Sequence, residues 1–529
     1  MRGKPRLFEY YLWIALTAIA SIGTVLANNL ILLLVLWGFL GLTLYMLINM
    51  GGKDSAQAAK KTFIIVGASD SLMLLGIAII YYLTDTFQMD KIKISLTTDS
   101  YLLPTIAYLC LAVASFAKAG AMPFHSWIPD CAESAPLPAV AFLPASLDKL
   151  LGIYLLARIS LNLFVMNQAM NILLMLIGAF TIVAAVMMAL VQHNLKRLLG
   201  YHAVSQVGYM VLGIGTGNPI GIAGGIFHML NHAVYKSCLF LAGGNVESQT
   251  KTSELERLGG LAKAMPITYV CALIASLSIS GVPPFNGFVS KWMVYQGLIS
   301  QFRGTGFGVR VTGIICLVAA MIGSALTLAS FMKLVHATFL GQRNNETKKQ
   351  AVNEVVWQMW LPTVLLAGTC VIFGLFAYQI PLRYFILPSL GTNYYLLSTD
   401  FAGFWSQFWC PVLAMVLVIT GLALGVIVYK LSKLKLSFRE DSPFVGGETA
   451  VLEESRVSGT EFYNTVREIN ILNKIYKLAE AKYFDIYDLG QRVVFYVTGL
   501  LRYLHNGVLS TYLVWCMLGM IVMFFLMSR

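Results

Sequence analysis

Long apolar runs separated by short polar segments make up most of this chain. Because a run of about 20 apolar residues can cross a bilayer as a helix, the pattern predicts an all-α polytopic membrane protein with about 13 spans. The predicted spans are 8–28, 29–48, 63–84, 101–131, 137–165, 169–191, 198–215, 219–242, 264–300, 310–341, 356–378, 407–432 and 506–528.

The fourth and ninth predicted spans are each interrupted by glycine and proline beside a lysine. In AYLCLAVASFAKAGAMPFHSWIPD, Lys118 stands just before the interruption, and in YVCALIASLSISGVPPFNGFVSKW, Lys291 follows it. A lysine in hydrocarbon costs a few kcal/mol, so its presence suggests a functional site. Paired interrupted segments in two halves of a membrane chain are typical of transport sites. These features predict cation transport.

The two interrupted spans lie five spans apart, and five is an odd number. Two five-span units would therefore have opposite directions in the membrane, as an inverted repeat does. We expect one repeat in residues 1–165, with its broken helix at 101–131, and another in 169–341, with its broken helix at 264–300. Unpaired backbone at such breaks is tolerated only beside protein or a water-filled cavity.

Residues 356–529 are expected to hold the C-terminal spans and an amphipathic segment at about 461–505. Apolar residues repeat there at three-to-four spacing, as on one face of a helix. They are Ile469, Leu472, Ile475, Tyr476, Ala479 and Tyr483. The pattern favours an interfacial or lateral helix that packs on neighbouring subunits, and a free cytoplasmic helix is the alternative.

The composition agrees with a membrane protein: 58% of the 529 residues are hydrophobic and 12% are charged. A soluble protein is near half apolar and about a quarter charged. The net charge of +12 resides in loops rather than in one patch, which argues against nucleic-acid binding. Most basic loop residues share one side if the N-terminus is cytoplasmic, so we expect that orientation. The N-terminal segment could be a signal peptide, but the many later spans favour a first span.

The sequence carries no signature of a redox, nucleotide or hydrolytic site. Its eight cysteines are scattered without CxxC or CxxxxC clusters, so an iron–sulfur or zinc site is not expected. No GxGxxG or Walker-type loop follows a strand pattern. We expect neither metal ligands nor catalytic residues in this chain.

One polar stripe runs along the eighth predicted span. His228, His232 and Lys236 are spaced i, i+4 and i+8, so they share one helix face. Two histidines at this spacing can bind zinc, but no glutamate follows His228 as in HExxH, and the lysine opposes a metal. A hydrogen-bonded structural stripe is a second interpretation. Because histidine titrates near neutrality, the pattern favours a proton relay.

Further ionisable residues fall inside other predicted spans: Asp70, His125, Asp148, Lys149, Lys333 and His336. Asp148 and Lys149 are about 100° apart on a helix and do not face each other directly. Lys333 and His336 lie near a span end, where a snorkelling side chain is as good an interpretation as function. For Lys118 and Lys291, the adjacent breaks favour function over a structural ion pair.

Four segments in series resemble a known family, the antiporter-like subunits of respiratory complex I, Mrp Na⁺/H⁺ antiporters and energy-converting membrane-bound hydrogenases and sulfane reductases. The segments are FAKAGAMPFHSWIPDCAESAPLPAVAFL, HNLKRLLGYHAVSQVGYMVLG, GIFHMLNHAVYKSCLFLAGG and LSISGVPPFNGFVSKW. The match covers roughly residues 8–345. The ending LHNGVLSTYLVWCMLG is most similar to the hydrogenase-type branch.

The resemblance implies half-channels joined by a hydrated polar axis. By motif, Lys118 and Lys291 resemble the lysines of the two broken helices, and Asp70 matches an acidic position of the family. The central relay is matched by His228, His232 and Lys236, and further relay candidates are Lys149, Lys333 and His336. The implied setting is the plasma membrane of a prokaryote, beside other membrane subunits. This chain would bind no cofactor, and iron–sulfur or NiFe centres would lie in partner subunits.

The chain departs from the family pattern in three places. The family has about three further helices before the first span, which would come from another chain or be lost. The acid that pairs with the first lysine is replaced by Gly38, and a histidine of the fifth span is replaced by Pro144. Asp70 or Asp148 could substitute as the partner of Lys118.

The sequence therefore predicts an ion-translocating membrane subunit of a redox-driven, complex I-related respiratory complex, carrying H⁺ or Na⁺. One alternative is a subunit of a stand-alone Mrp-type Na⁺/H⁺ antiporter. Another is a structural subunit that has lost pumping and bridges its neighbours.

Overall fold

Helices form almost all of the regular structure in the computed structural model. The structure describes residues 6–52, 54–97, 102–300, 306–342, 351–390, 411–431, 460 and 463–528. The first residue of the predicted span 101–131, both ends of 407–432 and residues 461–462 lie outside these ranges. The chain forms two units, Met1–Ile469 and Asn470–Arg529.

The first unit contains the helices of both predicted repeats. Those of the first are α1 Leu7–Leu26, α2 Leu30–Ile48, α3 Ser55–Thr84, α4 Leu102–Ala119, α5 Trp127–Ser134, α6 Leu137–Phe142 and α7 Asp148–Arg158. Those of the second are α8 Gln168–Leu190, α9 Leu195–Gly215, α10 Pro219–Thr250, α11 Pro266–Ser280, α12 Asn286–Ser300 and α13 Phe307–Val335. They are followed by α14 Trp357–Leu375, α15 Leu387–Ser389, α16 Pro411–Leu431 and α17 Asn464–Glu468.

The remaining elements are short. Wide π-helical turns occupy Leu143–Leu147, Ile159–Leu163, His336–Leu340 and Tyr378–Ile386, and a 3₁₀ turn occupies Leu255–Arg257. Two strands, β1 Ile94–Ser95 and β2 Phe164–Val165, pair in parallel with Ile94 opposite Phe164. A two-residue ladder does not change the helical class of the fold.

Nine helices in the described part of the chain are long and apolar enough to cross a membrane, some of them continued by a π-helical turn. Helices α9 and α10 fall short of this apolarity because of their polar residues, and α11 and α12 are the two pieces of one broken helix. These polar residues include His228, His232 and Lys236 of the candidate site. The protein is a multi-pass membrane protein.

Both predicted interruptions are present, and the helix before each ends in the same way. Gly120 directly follows α4 with φ 78°, and Gly281 directly follows α11 with φ 82°. Glycine adopts this left-handed conformation without the steric cost of a Cβ, which is why it commonly ends helices. The Gly120 N–H donates to the Phe116 carbonyl at 2.7 Å. The chain resumes as α5 in the first case and as α12 in the second.

Pro144 explains an irregularity in the span between α6 and α7. Proline has no amide proton, and its ring crowds the carbonyl one turn earlier, so a regular helix cannot continue through it. The chain instead widens into the π turn Leu143–Leu147 and returns to α-helix at Asp148. Such bulges often occur at functional sites. Here the bulge sets the direction of Asp148 and Lys149.

Ion pairs tie the ends of α3, α5, α9 and α10 together. Lys61 of α3 binds Asp130 of α5 at 2.7 Å, and Arg197 of α9 binds Glu133 of α5 at 2.9 Å. Lys196 of α9 binds Glu247 of α10 at 3.0 Å. These contacts hold α5, the second piece of the first broken helix, against α9.

The second unit contains α18 Asn470–Glu480, α19 Ile486–Leu504 and α20 Leu509–Met527. The range predicted as an amphipathic segment, about 461–505, contains three separate helices, α17, α18 and α19. The chain turns between α18 and α19, where Lys482 has φ 58°. Tyr476 is buried, whereas Ile475 and Tyr483 on the same predicted face are exposed.

Candidate functional site

Lys118 lies at the end of α4, fully buried, against α2. Its ammonium donates to the Trp37 carbonyl at 3.0 Å and stands 4.4 Å from the centre of the Trp37 ring. Two carboxylates lie within Coulombic range of it, Asp148 of α7 and Asp70 of α3. The helices thus bring one cation and both candidate acids to the first break.

Asp148 and Lys149 follow each other on α7 and are both fully buried. Neither carboxylate oxygen of Asp148 has a hydrogen-bond partner within the described residues. The Lys149 ammonium donates to the Ala119 carbonyl at 3.1 Å, at the C-terminal end of α4. That end carries a partial negative charge from the helix dipole, which favours a cation there. Unpaired buried carboxylate oxygens are uncommon, so Asp148 requires an explanation other than stability.

Gly38 leaves open space beside this cluster. A Cβ built there would meet no atom within 4 Å, whereas a Cβ at Gly41 would lie 3.8 Å from Oδ2 of Asp70. The preceding residue, Trp37, makes the contact with Lys118 through its carbonyl and ring. The two carboxylates near Lys118 come from α3 and α7.

The placement of this cluster depends on the close approach of α4 and α7. A Cβ at Gly152 would lie 2.6 Å from the Ala119 nitrogen, and the Ser115 hydroxyl donates to the Gly152 carbonyl at 2.6 Å. Gly152 therefore lets the backbones touch one turn from Lys149.

We expect Gly152→Ala to destabilise the protein by roughly 1–3 kcal/mol, because the added methyl overpacks a backbone contact. Alanine should otherwise stabilise a helix by about 1 kcal/mol relative to glycine. Gly67→Ala is the matched control, since a Cβ there meets nothing within 4 Å. The midpoint of heat-induced unfolding in detergent should fall for Gly152→Ala and not for Gly67→Ala. Equal midpoints would contradict the packing argument.

The predicted polar stripe of α10 is buried at the centre of the bundle. His228 is fully hydrogen-bonded: Nδ1 contacts the Ser290 hydroxyl at 2.9 Å, and Nε2 contacts the Gln206 amide oxygen at 3.0 Å. Neither nitrogen of His232 nor the Lys236 ammonium has a hydrogen-bond partner among the residues described. Lys236 is instead surrounded by aromatic rings, 5.6 Å from the centre of Phe240 and 5.7 Å from that of Phe331.

Lys291 lies on α12 just after the second break and is 2% exposed. Its ammonium stands 3.5 Å from the Ser280 carbonyl and 4.6 Å from the centre of the Tyr209 ring. Ser280 is the last residue of α11, so Lys291 approaches the C-terminal end of a broken helix just as Lys149 does. In each half, an ammonium group therefore faces the carbonyl end of the interrupted helix.

A network of neutral polar side chains holds this second break together. Asn231 of α10 and Asn286 of α12 bond reciprocally, with Asn286 donating to the Asn231 side chain at 2.9 Å and Asn231 to the Asn286 carbonyl at 3.0 Å. Asn231 also donates to Ser290 at 3.1 Å, and Ser278 of α11 bonds the Asn286 side chain. Ser290 thereby connects the network to His228.

Lys333 does not reach solvent. It is 2% exposed and donates to the Leu190 carbonyl at 2.7 Å and the Gln192 carbonyl at 2.9 Å. These carbonyls lie at the end of α8, so Lys333 caps that helix rather than snorkelling. His336 begins the π turn that follows α13 and is only partly buried.

The candidate residues form one electrostatically connected series rather than two separate clusters. Lys149 lies within Coulombic range of both His232 and Lys236. His232 is likewise coupled to His228, and His228 to Lys291. A row of buried titratable groups therefore runs from the first break through α10 to the second.

A family model described as "NADH:quinone oxidoreductase/Mrp antiporter, TM" matches residues 27–316, more than half of the chain. The chain belongs to this family. The A1 component of a Na⁺/H⁺ antiporter from Staphylococcus epidermidis is 31% identical over 390 residues, covering 70% of this chain and 48% of that protein. A Na⁺/H⁺ antiporter component from Bacillus subtilis is 30% identical over 407 residues, covering 74% and 50%. The chain spans about half the length of these curated relatives.

Solved structures of three membrane complexes contain chains with this fold. The membrane-bound sulfane sulfur reductase, an archaeal respiratory complex, matches with TM-score 0.74 and 23% identity over 98% of this chain and 84% of that one. The Mrp complex from Dietzia sp. matches with TM-score 0.63 and 22% identity over 70% and 75%. Complex I from Thermus thermophilus matches with TM-score 0.59 and 26% identity over 72% and 80%. The chain thus shares the fold of these chains as well as the family of the curated relatives.

Several residues that complete this family member's site were not predicted as site residues from the sequence. They are Trp37, His202, Gln206, Tyr209, Asn231, Asn286 and Ser290. All except His202 are uncharged. His202 lies in HNLKRLLGYHAVSQVGYMVLG, a segment that indicates the family and not a site. Asn231 precedes His232 directly and lies three residues after His228, so helical spacing was the one signal that could have indicated it.

Proposed function

We propose that this chain translocates H⁺ or Na⁺ within a redox-driven, complex I-related membrane complex, using its buried lysines and histidines as a relay. The observation that carries the proposal is a set of six titratable side chains buried inside the helical bundle, namely Lys118, Lys149, His232, Lys236, His228 and Lys291. Buried ionisable groups in a membrane are costly to keep and mark ion pathways.

The arrangement can pass charge along the membrane plane. Burial and neighbouring cations disfavour an ammonium, and a nearby carboxylate favours it. When one lysine of the series gains or loses a proton, it changes the field at the next group within Coulombic range. A conformational or electrostatic change that a neighbouring protein imposes on one end can thus make the groups of the series bind and release protons one after another. Asp148 and Asp70 stabilise the charged form of Lys118.

The proposed setting is a multi-subunit membrane complex with antiporter-like and small helical subunits as neighbours. The N-terminus lies in the cytoplasm, the chain spans a prokaryotic plasma membrane, and α18 and α19 contact neighbouring membrane subunits. Iron–sulfur or NiFe centres belong to partner subunits, and no nucleic acid is involved. The likeness to the sulfane reductase chain extends over nearly the whole chain, including its C-terminal part, whereas the likeness to the Mrp chain covers 70%. This extent supports a redox-driven complex.

Two alternatives to this function are each supported by an observation. The curated relatives named as antiporter subunits favour a stand-alone Na⁺/H⁺ antiporter. Neighbouring genes distinguish the two, since iron–sulfur subunits imply the redox complex. A structural subunit without pumping is the remaining alternative, favoured only by the glycine at position 38.

Lys291→Ala tests the proposal in membrane vesicles that contain the full complex. We expect translocation, followed by a pH-sensitive dye and by ²²Na⁺ uptake, to be lost while the amount of assembled complex is unchanged. Lys91→Ala is the control, because Lys91 is an exposed loop residue. Wild-type translocation in Lys291→Ala would reject the relay and favour the structural alternative.

A further inference from the structure

His202 is a buried titratable residue outside the series described above. It lies on α9 and is fully buried, and its Nε2 contacts the Ser330 hydroxyl of α13 at 2.7 Å. Its ring packs on Phe331 with 4.6 Å between ring centres. Its Nδ1 has no hydrogen-bond partner in the part of the chain that the structure describes. A buried imidazole with one nitrogen bonded and the other open can accept and release protons on different sides.

His202 is close to the centre of the series. The His202 ring packs on Phe331, and the Lys236 ammonium lies 5.7 Å from the centre of the same Phe331 ring. Lys236 and Lys291 both lie within Coulombic range of the imidazole. His202 and Lys236 therefore share the Phe331 ring as a common neighbour.

On its other side, His202 connects to the end of the bundle formed by residues 191–194, between α8 and α9. Ser330 and Lys333 are three residues apart on α13 and so lie on neighbouring positions of one face. Lys333 in turn bonds the Leu190 and Gln192 carbonyls at that end. His202 itself is seven residues from the start of α9, about 10 Å along the helix.

We propose that His202 is a branch of the relay, exchanging protons between Lys236 and the residue 191–194 end of the bundle by way of Ser330. The inference rests on the proposed function and adds a path that the central series lacks. A proton enters at Nε2 from the Ser330 side, giving an imidazolium. The proton on Nδ1 then leaves to the neutral amine of Lys236, which becomes an ammonium. The ring is neutral again, and one proton has moved.

Two substitutions separate the relay from a structural role for His202. His202→Phe keeps a ring on Phe331, and His202→Gln keeps a hydrogen-bonding group for Ser330, but neither can titrate. A packing role predicts that Phe retains activity, and a hydrogen-bonding role predicts that Gln does. The branch predicts that both variants lose about tenfold or more of the translocation rate in vesicles with the full complex. Retention by either variant overturns it.

Ser330→Ala tests the path without touching the central series. Thr327→Ala is its matched control, one turn away on α13, because the Thr327 hydroxyl bonds only the Gly323 carbonyl of its own helix among the hydrogen bonds described. We expect Ser330→Ala to slow translocation and Thr327→Ala to leave it unchanged. If the His202 variants do not assemble, this pair decides alone: equal rates for Ser330→Ala and Thr327→Ala overturn the branch.

The outcome is distinguishable from failure of the proposed function. If Lys291→Ala abolishes translocation while His202→Gln and Ser330→Ala do not change it, the relay stands and the branch is wrong. If all three variants translocate normally, the relay itself is wrong.

Discussion

Lys236→Met should lower ion translocation roughly 10²-fold or more while leaving the complex assembled, because it removes a titrating group from the middle of the series. Lys236 is fully buried and lies within Coulombic range of Lys149 and His202. Methionine has similar length and no charge. Since the Lys236 ammonium has no hydrogen-bond partner among the described residues, its removal leaves no buried polar group unpaired.

The measurement compares ion uptake by vesicles with equal amounts of assembled complex, containing either wild type or Lys236→Met. Lys91→Met is the control for loss of a lysine at an exposed position. If the Lys236→Met variant is assembled and still translocates ions at the wild-type rate, Lys236 has a structural role only. Loss of assembly in Lys236→Met, despite intact packing around Phe240 and Phe331, would likewise count against a relay role.

Asp148→Asn should reduce translocation about tenfold or more, and Asp70→Asn should reduce it less. Both carboxylates lie within Coulombic range of Lys118, but Asp148 is fully buried with both oxygens unpaired in the described structure, whereas Asp70 is only partly buried. Of the two carboxylates, Asp148 has the stronger Coulombic interaction with Lys118, so its loss should matter more. Initial rates of dye response in vesicles measure both variants.

Gly38→Glu provides a gain-of-function control for the same cluster. No atom lies within 4 Å of a Cβ at Gly38, and Trp37 beside it touches Lys118. Glutamate should therefore fit and restore part of the translocation rate in the Asp148→Asn background.

Wild-type translocation rates in both Asp70→Asn and Asp148→Asn would reject the idea that these acids replace the missing one.

The features predicted well from the sequence are those that depend on local chemistry. Both helix breaks follow from glycine and proline, whose effects act within one turn, and the structure places Gly120 and Gly281 in the left-handed conformation at these breaks. Apolar runs likewise define helices whatever packs on them. Nothing in the pattern of the C-terminal amphipathic segment indicates the turn at Lys482, which separates two of its helices.

The partners of the titratable residues could not be predicted, because they come from distant segments. Gln206 and Ser290 bind His228 across 22 and 62 residues of chain, and Trp37 meets Lys118 across 81. These contacts depend on how α2, α9 and α12 pack, which periodicity does not determine. The position of Lys333 near a span end leaves snorkelling and function open, whereas the structure shows it capping α8, because the end of α8 lies against α13.

The central claim is that the two halves form one relay, and the double variant Lys118→Met/Lys291→Ala tests it most directly. Residues that act as one unit are strongly non-additive. In one relay, each single variant loses nearly all ion translocation by vesicles of the full complex, and the double variant loses no more. Two independent half-channels would instead leave about half the rate in each single variant and none in the double, and that result would contradict the account.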